Sequence, residues 1–426
     1  MRGASNRPGP ATRLDPRRAG VRLRRRCHRS ARHRSGRRPD LSSGGRVRVA
    51  GRGRPGDLDR PFNPRRARPL SPARPHRLPR PSGDAGRRRG PLGERPPIRG
   101  GGFSQTLAAA TRTLHGGTTT VRDLGGWNYL EMSARDQIEE GAALGPRLLL
   151  AGRLLSAPTP AVRYYPGMYE VARGSGDLRR AVRGQVERGA DVIKVMASGA
   201  MLSPEDEDAE EAQLTRQNLQ AVVEASHSLG RLVAAHAHAA SGVRNAVDAG
   251  VASIEHGTFA DRETLERMAD RGTFLVPTIA ASASMVREEG VMERMPRHLR
   301  DRLVRTHETH LEMIRSAHDV GVPIAMGTDA GTPGNHHGAN AWECVYLVSE
   351  AGLPSSSAIE AATTAAAKLL GREGEIGILK QGARADVVGF ESNPLEDISV
   401  MTRPRFVMRG GVVVRDDRIR ARSESQ

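Results

Sequence analysis

From about residue 104 onward, short β-branched or apolar runs alternate with stretches of helical period. That alternation admits few folds, because repeated βα units build a parallel sheet whose faces are covered by helices. The strand candidates are residues 118–124 (TTTVRDL), 147–155 (RLLLAGRLL), 191–197 (DVIKVMA), 232–238 (LVAAHAH), 252–256 (ASIEH), 273–278 (TFLVPT) and 323–329 (PIAMGTD). Helical segments lie between them, for example 105–114, 218–229 and 303–320. Seven strands are one short of the eight that close a (β/α)8 barrel. The expected fold is therefore α/β, a TIM-type barrel over residues 104–370 whose first strand is missing or unrecognisable. After a last helix at 356–370, residues 371–426 read as two or three short strands between glycine turns. They suit a small antiparallel subdomain, the remnant of a β-sandwich.

The first hundred residues break with this pattern. They hold 30 arginines, no lysine, six acidic residues, 15 prolines, 14 glycines and a single aromatic, Phe62. The rest of the chain carries 36 basic and 42 acidic side chains, so the net +18 belongs to one segment. Such a composition buries too little apolar surface to offset the entropy of ordering, and residues 1–103 are expected to be disordered. It also matches a GC-rich gene read in the wrong frame, which yields Arg, Pro, Gly and Ala without Lys. An arginine arm attracts phosphate backbones. RNA-binding segments, however, mix in lysine, aromatics or repeats that are missing here, so nucleic acid is not the expected partner. Cys27 and Cys344 make no disulfide framework, and a reducing cytoplasm is the expected compartment. No apolar run reaches the length of a membrane span, so no membrane partner is expected. No secretory signal is legible, although an out-of-frame N-terminus would hide one.

In a parallel barrel, side chains that perform chemistry stand at the C-terminal ends of the strands. Lys194 lies inside the apolar run 192–196, His236 and His238 close LVAAHAH, His256 closes ASIEH, and Asp329 closes PIAMGTD. Period two puts His236 and His238 on one face. Each residue alone has an ordinary reading. A strand lysine snorkels to water, a strand-end histidine hydrogen-bonds locally, and an aspartate before glycine caps a helix. Chance does not readily set all of them at strand ends in this order, so the joint reading is chemical. Imidazoles and carboxylates ligate Zn²⁺ and similar divalent ions. A lysine in a low-dielectric interior loses its proton more easily, and the free amine adds carbon dioxide to form a carbamate able to bridge two metals. Metal-activated water can then attack a polarised carbonyl. A strand-end carboxylate takes its proton and passes it to the departing amine.

Taken in order, GGTTTVRDLGG, GADVIKVMASGA, LVAAHAHAASGVRNAVDAGVASIEHGT, AMGTDAGTP with HHGANAWE, and GARADVVGFESNPLEDI resemble the metal-dependent amidohydrolase superfamily. The similar branch lies near imidazolonepropionase and the Xaa-Pro and Xaa-Arg dipeptidases, and the resemblance covers about residues 104–415. It implies one or two divalent ions, zinc being expected, bridged by a carboxylated Lys194. His236 and His256 would ligate the second metal. Asp329 would ligate the first and serve as the catalytic proton shuttle. His238 and His337 become substrate contacts, with His336 and Tyr165 as further candidates. Tyr165 reads better as a loop aromatic over the barrel mouth. The implied activity is hydrolysis of carbon–nitrogen bonds in a small molecule: a dipeptide, an N-acyl amino acid or a cyclic amide. The family also opens its barrel with a strand ending in His-x-His, and residues 1–103 contain no such pair; His28, His33 and His76 stand singly in Arg-rich text. An impaired site is therefore expected, with an aggregation-prone open edge beside strand two.

Two other functional classes compete. One is a catalytically dead barrel that carries an arginine-rich nucleic-acid-binding arm, whose binding would fall steeply with salt. The other, a phosphate-binding barrel, needs a glycine-rich cradle that only residues 331–334 approach. The acidic stretch 203–211 (SPEDEDAEE) either favours a basic substrate side chain or is a solvated loop. A homo-oligomer is left open.

Overall fold

A computed structural model describes residues 102–201, 209–287 and 290–418. The arginine-rich segment, up to residue 101, and most of the acidic stretch at 203–211 lie outside the described residues.

The βα alternation produces parallel strands in chain order: β1 (Thr120–Asp123), β2 (Arg147–Leu150), β3 (Leu154–Ser156), β4 (Tyr169–Val171), β5 (Val192–Met196), β6 (Leu232–Ala237), β7 (Ser253–His256) and β8 (Phe274–Val276). β1 pairs with β2, and a six-stranded sheet runs β4-β3-β5-β6-β7-β8. The fold is the α/β barrel type expected, with two corrections.

The stave expected at 147–155 is two strands. It kinks at Gly152, whose φ of +71° is open to glycine and where a Cβ would lie 2.5 Å from Gln185 Oε1. The Gln185 oxygen instead accepts from Arg153 N at 3.1 Å. Before the kink the stave pairs with β1; beyond it, with β4 and β5. The stave expected at 323–329 is not a strand either. It makes one bridge, Ile324 to Leu275. The chain then turns away, with Met326 N donating to Ala361 O and Asp329 at φ +54°. A strand needs a ladder, and among the described residues no ladder partner stands on its other side.

Pairing register divides the sheet into two chemically distinct faces. Lys194, Ala234 and Ser253 lie side by side, as do Met196, His236 and Glu255. The alternate residues Ile193, Val195, Val233, Ala235, Ile254 and Leu275 join one apolar core with helix residues such as Leu219, Val222, Val243, Leu265 and Met268. Period two thus sends aliphatic side chains out to the helices and leaves the polar set inside. The flanking helices carry ordinary end signals. Thr215 caps Arg216–Ser228 by accepting from Asn218 N, Asp261 caps Arg262–Arg271 by accepting from Thr264 N, and left-handed Gly272 ends the latter.

The helix expected at 356–370 is broken into Ser355–Ala362 and Thr364–Leu369, with Thr363 between them outside helical geometry. Beyond it, β9 (Val387–Gly389), β10 (Phe406–Arg409) and β11 (Val412–Asp416) form an antiparallel sheet in the order β11-β10-β9. Arg147 ties that sheet to the barrel through Asp386 at 3.1 Å.

Candidate metal centre

The ends of β6 and β7 bring three imidazoles together. The ring centroids of His236 and His256 are 4.6 Å apart, His238 stacks on His256 at 4.6 Å and 14°, and it meets His236 edge-on at 4.8 Å. One ring nitrogen from each lies within 4.8 Å of the others. All three residues are buried, as is Lys194 on β5. His256 reaches the group because its φ of +73° takes it out of strand alternation; strict period two would send it outward with Ile254's neighbours.

His236 Nε2 lies 3.1 Å from Gly199 O, which only accepts, so that nitrogen carries the proton and Nδ1 presents its lone pair. His256 Nε2 faces that Nδ1 at hydrogen-bond distance, 2.9 Å, and on the other side of the His256 ring Thr278 Oγ1 lies 2.6 Å from Nδ1. Burial pushes His236 down to about 3 and His256 well below its ordinary value, so both rings are neutral. A buried, neutral group of three imidazoles, with a ring nitrogen from each within 4.8 Å of the others, is a donor set that fits a divalent metal such as zinc.

The other expected residues divide. Burial lowers the Lys194 amine to about 8, against the opposing pull of Glu255 and Asp329. Asp329 stands at the solvent-open mouth; the protein around it pushes its carboxyl up while Lys194 pulls it down. His238 joins the histidine group, its Nδ1 2.8 Å from Thr258 Oγ1 and its amide donating to Ser198 Oγ. The sequence reading made it a substrate contact, yet the structure sets it among the rings that could hold the ion. His337, half-buried, feels the charge of Asp123. His336 is exposed. Tyr165 packs edge-on against Trp127 at 6.1 Å.

Several residues escaped the sequence reading. Arg122 on β1 donates to Ser253 Oγ at 3.2 Å and Glu255 Oε1 at 3.0 Å, crossing to β7. Thr278 ends a strand candidate, and Asp123 stands one residue before the end of another, so the rule that found Asp329 reaches Thr278 and narrowly misses Asp123. His310 left no such signal: it lies on the helix Arg297–Asp319, where its Nε2 donates to His256 O at 3.0 Å. Glu343 is fully buried and accepts from the amides of Ile279 and Ala280 at 2.9 and 2.7 Å.

The chain matches the Amidohydrolase family over residues 104–414. Ochratoxinase of Aspergillus niger is 34% identical over 317 residues, which are 69% of this chain and 64% of that protein. The chain thus spans a little under two thirds of that relative's length. Imidazolonepropionase of Nocardia farcinica is 28% identical over 43% of this chain and 42% of its own. Among solved structures, a Xaa-Pro dipeptidase with methionine bound in its active site superposes with a TM-score of 0.69 at 35% identity, covering 75% of this chain and 81% of that one. The A. niger ochratoxinase structure gives 0.66 at 31%, covering 74% and 76%. The strand-end histidines thus stand in a match that runs from the first described helix to the C-terminal sheet, and this chain belongs to the amidohydrolase family.

Proposed function

We propose that the site hydrolyses an amide bond in a small substrate with the help of a divalent ion, zinc by its donor set, held by His236, His256 and Lys194 with His238 beside them. The observation that carries this reading is the buried group of three imidazoles, His236, His238 and His256, a ring nitrogen from each lying within 4.8 Å of the others. When bound, the ion supplies Lewis acidity and makes a water nucleophilic near neutral pH.

The protein's own groups supply the rest. With its amine near 8, Lys194 holds a usable neutral fraction at physiological pH. That fraction can add carbon dioxide as a carbamate, turning a cation into an anionic oxygen ligand. Asp329, at the open mouth, accepts a proton from the attacking water and delivers it to the departing amine nitrogen. His337 stands on the substrate side, and Tyr165 with Trp127 forms an aromatic wall at the rim. The names of the similar proteins denote cleavage of ochratoxin and of Xaa-Pro dipeptides. Dipeptides, N-acyl amino acids and cyclic amides are accordingly the substrate classes we assign. Turnover is expected to be slow, because residues 1–103 hold no His-x-His pair to complete a second ion's ligands.

The test is hydrolysis of a panel of N-acyl amino acids and dipeptides by the purified full chain, with and without added zinc. We expect zinc-dependent turnover well below the roughly 10 s⁻¹ common among enzymes, lost at least about 100-fold in Asp329→Asn. Product release equal in the parent and Asp329→Asn would remove the hydrolase reading. Turnover at ordinary enzyme rates would remove the impairment.

A further inference from the structure

Glu343 takes no part in the chemistry just described, yet its carboxylate is fully buried. It comes from the helix Trp342–Ser349 and reaches the start of another helix, Ile279–Arg287. There Oε1 accepts from Ile279 N and Oε2 from Ala280 N, two of the amides that a helix start leaves without partners. Directly before them stands Thr278, a β-branched residue at φ +60°. Such a conformation costs about 1–3 kcal/mol and persists only where its surroundings hold it. Thr278 in turn makes the hydrogen bond that sets the His256 ring. His310 holds only the His256 carbonyl and leaves the ring free to choose its tautomer.

We propose that Glu343 is a positioning residue for the metal centre: its grip on the Ile279 and Ala280 amides keeps Thr278 left-handed, and Thr278 Oγ1 holds His256 Nδ1 so that the ring keeps one tautomer and aims Nε2 at His236. The inference deepens the metal reading and rests on it for its consequence. The ring's orientation itself requires no metal. A glutamine at 343 can accept with one oxygen only, and its NH₂ would face the second amide, donor against donor. The helix start then loses half its anchor, and Thr278 can relax toward an ordinary β-region φ.

The experiment reads the ring nitrogens of His256 directly, by ¹⁵N–¹H correlation on the metal-free full chain labelled at histidine, with His256→Gln assigning the signals. Cobalt(II) affinity is measured in parallel. The expected parent is a single tautomer. Glu343→Gln is expected to show both tautomers, an unchanged far-ultraviolet circular dichroism spectrum, and cobalt binding about 10–100-fold weaker. Thr278→Val should reproduce this, and Thr278→Ser should restore the parent pattern. If Glu343→Gln does not accumulate folded, Glu343→Asp, which withdraws the carboxylate by one methylene, is read in the same way and is expected to mix the tautomers. The proposal is overturned by mixed tautomers in the parent, by unchanged ring shifts in the folded Glu343 variant, or by weaker cobalt binding with an unchanged ring. A parent that shows the expected tautomer pattern but binds no cobalt would keep the positioning role and remove the metal reading.

Discussion

Asn128, Tyr129, His256, Thr278 and Asp329 are the non-glycine residues with positive φ among those described, and three of the five form the candidate site. Strain of this kind concentrates where side chains must point against the local backbone rule. His256 leaves strand alternation to meet His236, and Asp329 turns to the mouth. Glycine adopts such a φ without the penalty of a Cβ. Asp329→Gly is therefore expected to melt no lower than the parent while losing hydrolysis, a site residue kept at some expense to stability. Thermal melts and the hydrolysis panel check both halves, and a midpoint several degrees below the parent's would contradict the strain account. Lys194, His236, His256 and Asp329 were legible because each is an ionisable residue within or closing an apolar run. Thr278 closes a run too, but a hydroxyl there is common, and nothing in TFLVPT announces a left-handed threonine. Asp123 was passed over because the candidate that begins with three threonines runs on to Leu124, while the observed strand stops at Asp123.

Where elements meet, the buried Glu343 carboxyl joins two helices. Burial pushes Glu343 up to about 8 and Glu131 up to about 7, from an ordinary 4.5. A raised carboxyl gives its full stabilising contribution below the unfolded value, and loses it as pH climbs through the folded one. Both contributions are therefore present below 4.5 and fade through about 7 and 8. His236 and His310 act in the opposite sense: burial lowers them to about 3 and 4 from 6.5, so their contributions stand above 6.5 and fade as pH falls. Lys194, lowered to about 8 from 10.5, acts in the same sense as the histidines and offsets the carboxyls near that pH. The share of Glu343 is therefore read as a difference: the melting midpoint of Glu343→Gln is expected to gain on the parent's as pH rises through about 8. Parallel midpoints for the two proteins across that rise would contradict this. The sequence pattern located the elements well where periodicity decides them, as at β5, β6 and β7. It missed the kink at Gly152 and the break at Thr363, because both depend on long-range partners: the side chain of Gln185 for the first and the packing of two short helices for the second. Residues 323–329 look like a strand in composition, but a ladder is a property of neighbours and not of the run itself.

At the scale of the barrel, the β1-β2 pair stands beside the six-stranded sheet, which runs on to the Ile324 bridge, with an apolar shell outside and a polar interior. Arg122 spans that interior from β1 to β7, so a buried ion pair joins the two sheets. The barrel class and the order of its staves were legible because seven alternations exclude most other architectures. The convergence of ring nitrogens was not legible, since it depends on the left-handed turn at His256 and on partners at Gly199 and Thr278, residues far apart in the chain. The central claim is that the β6 and β7 histidines form a cation site, and equilibrium dialysis of the full chain against zinc, with bound metal counted per chain, tests it most directly. The account predicts one tightly held ion in the parent, weakened at least about 100-fold when His236 and His256 are both changed to alanine. Zinc retained equally by the parent and the double variant, or by neither, would contradict it.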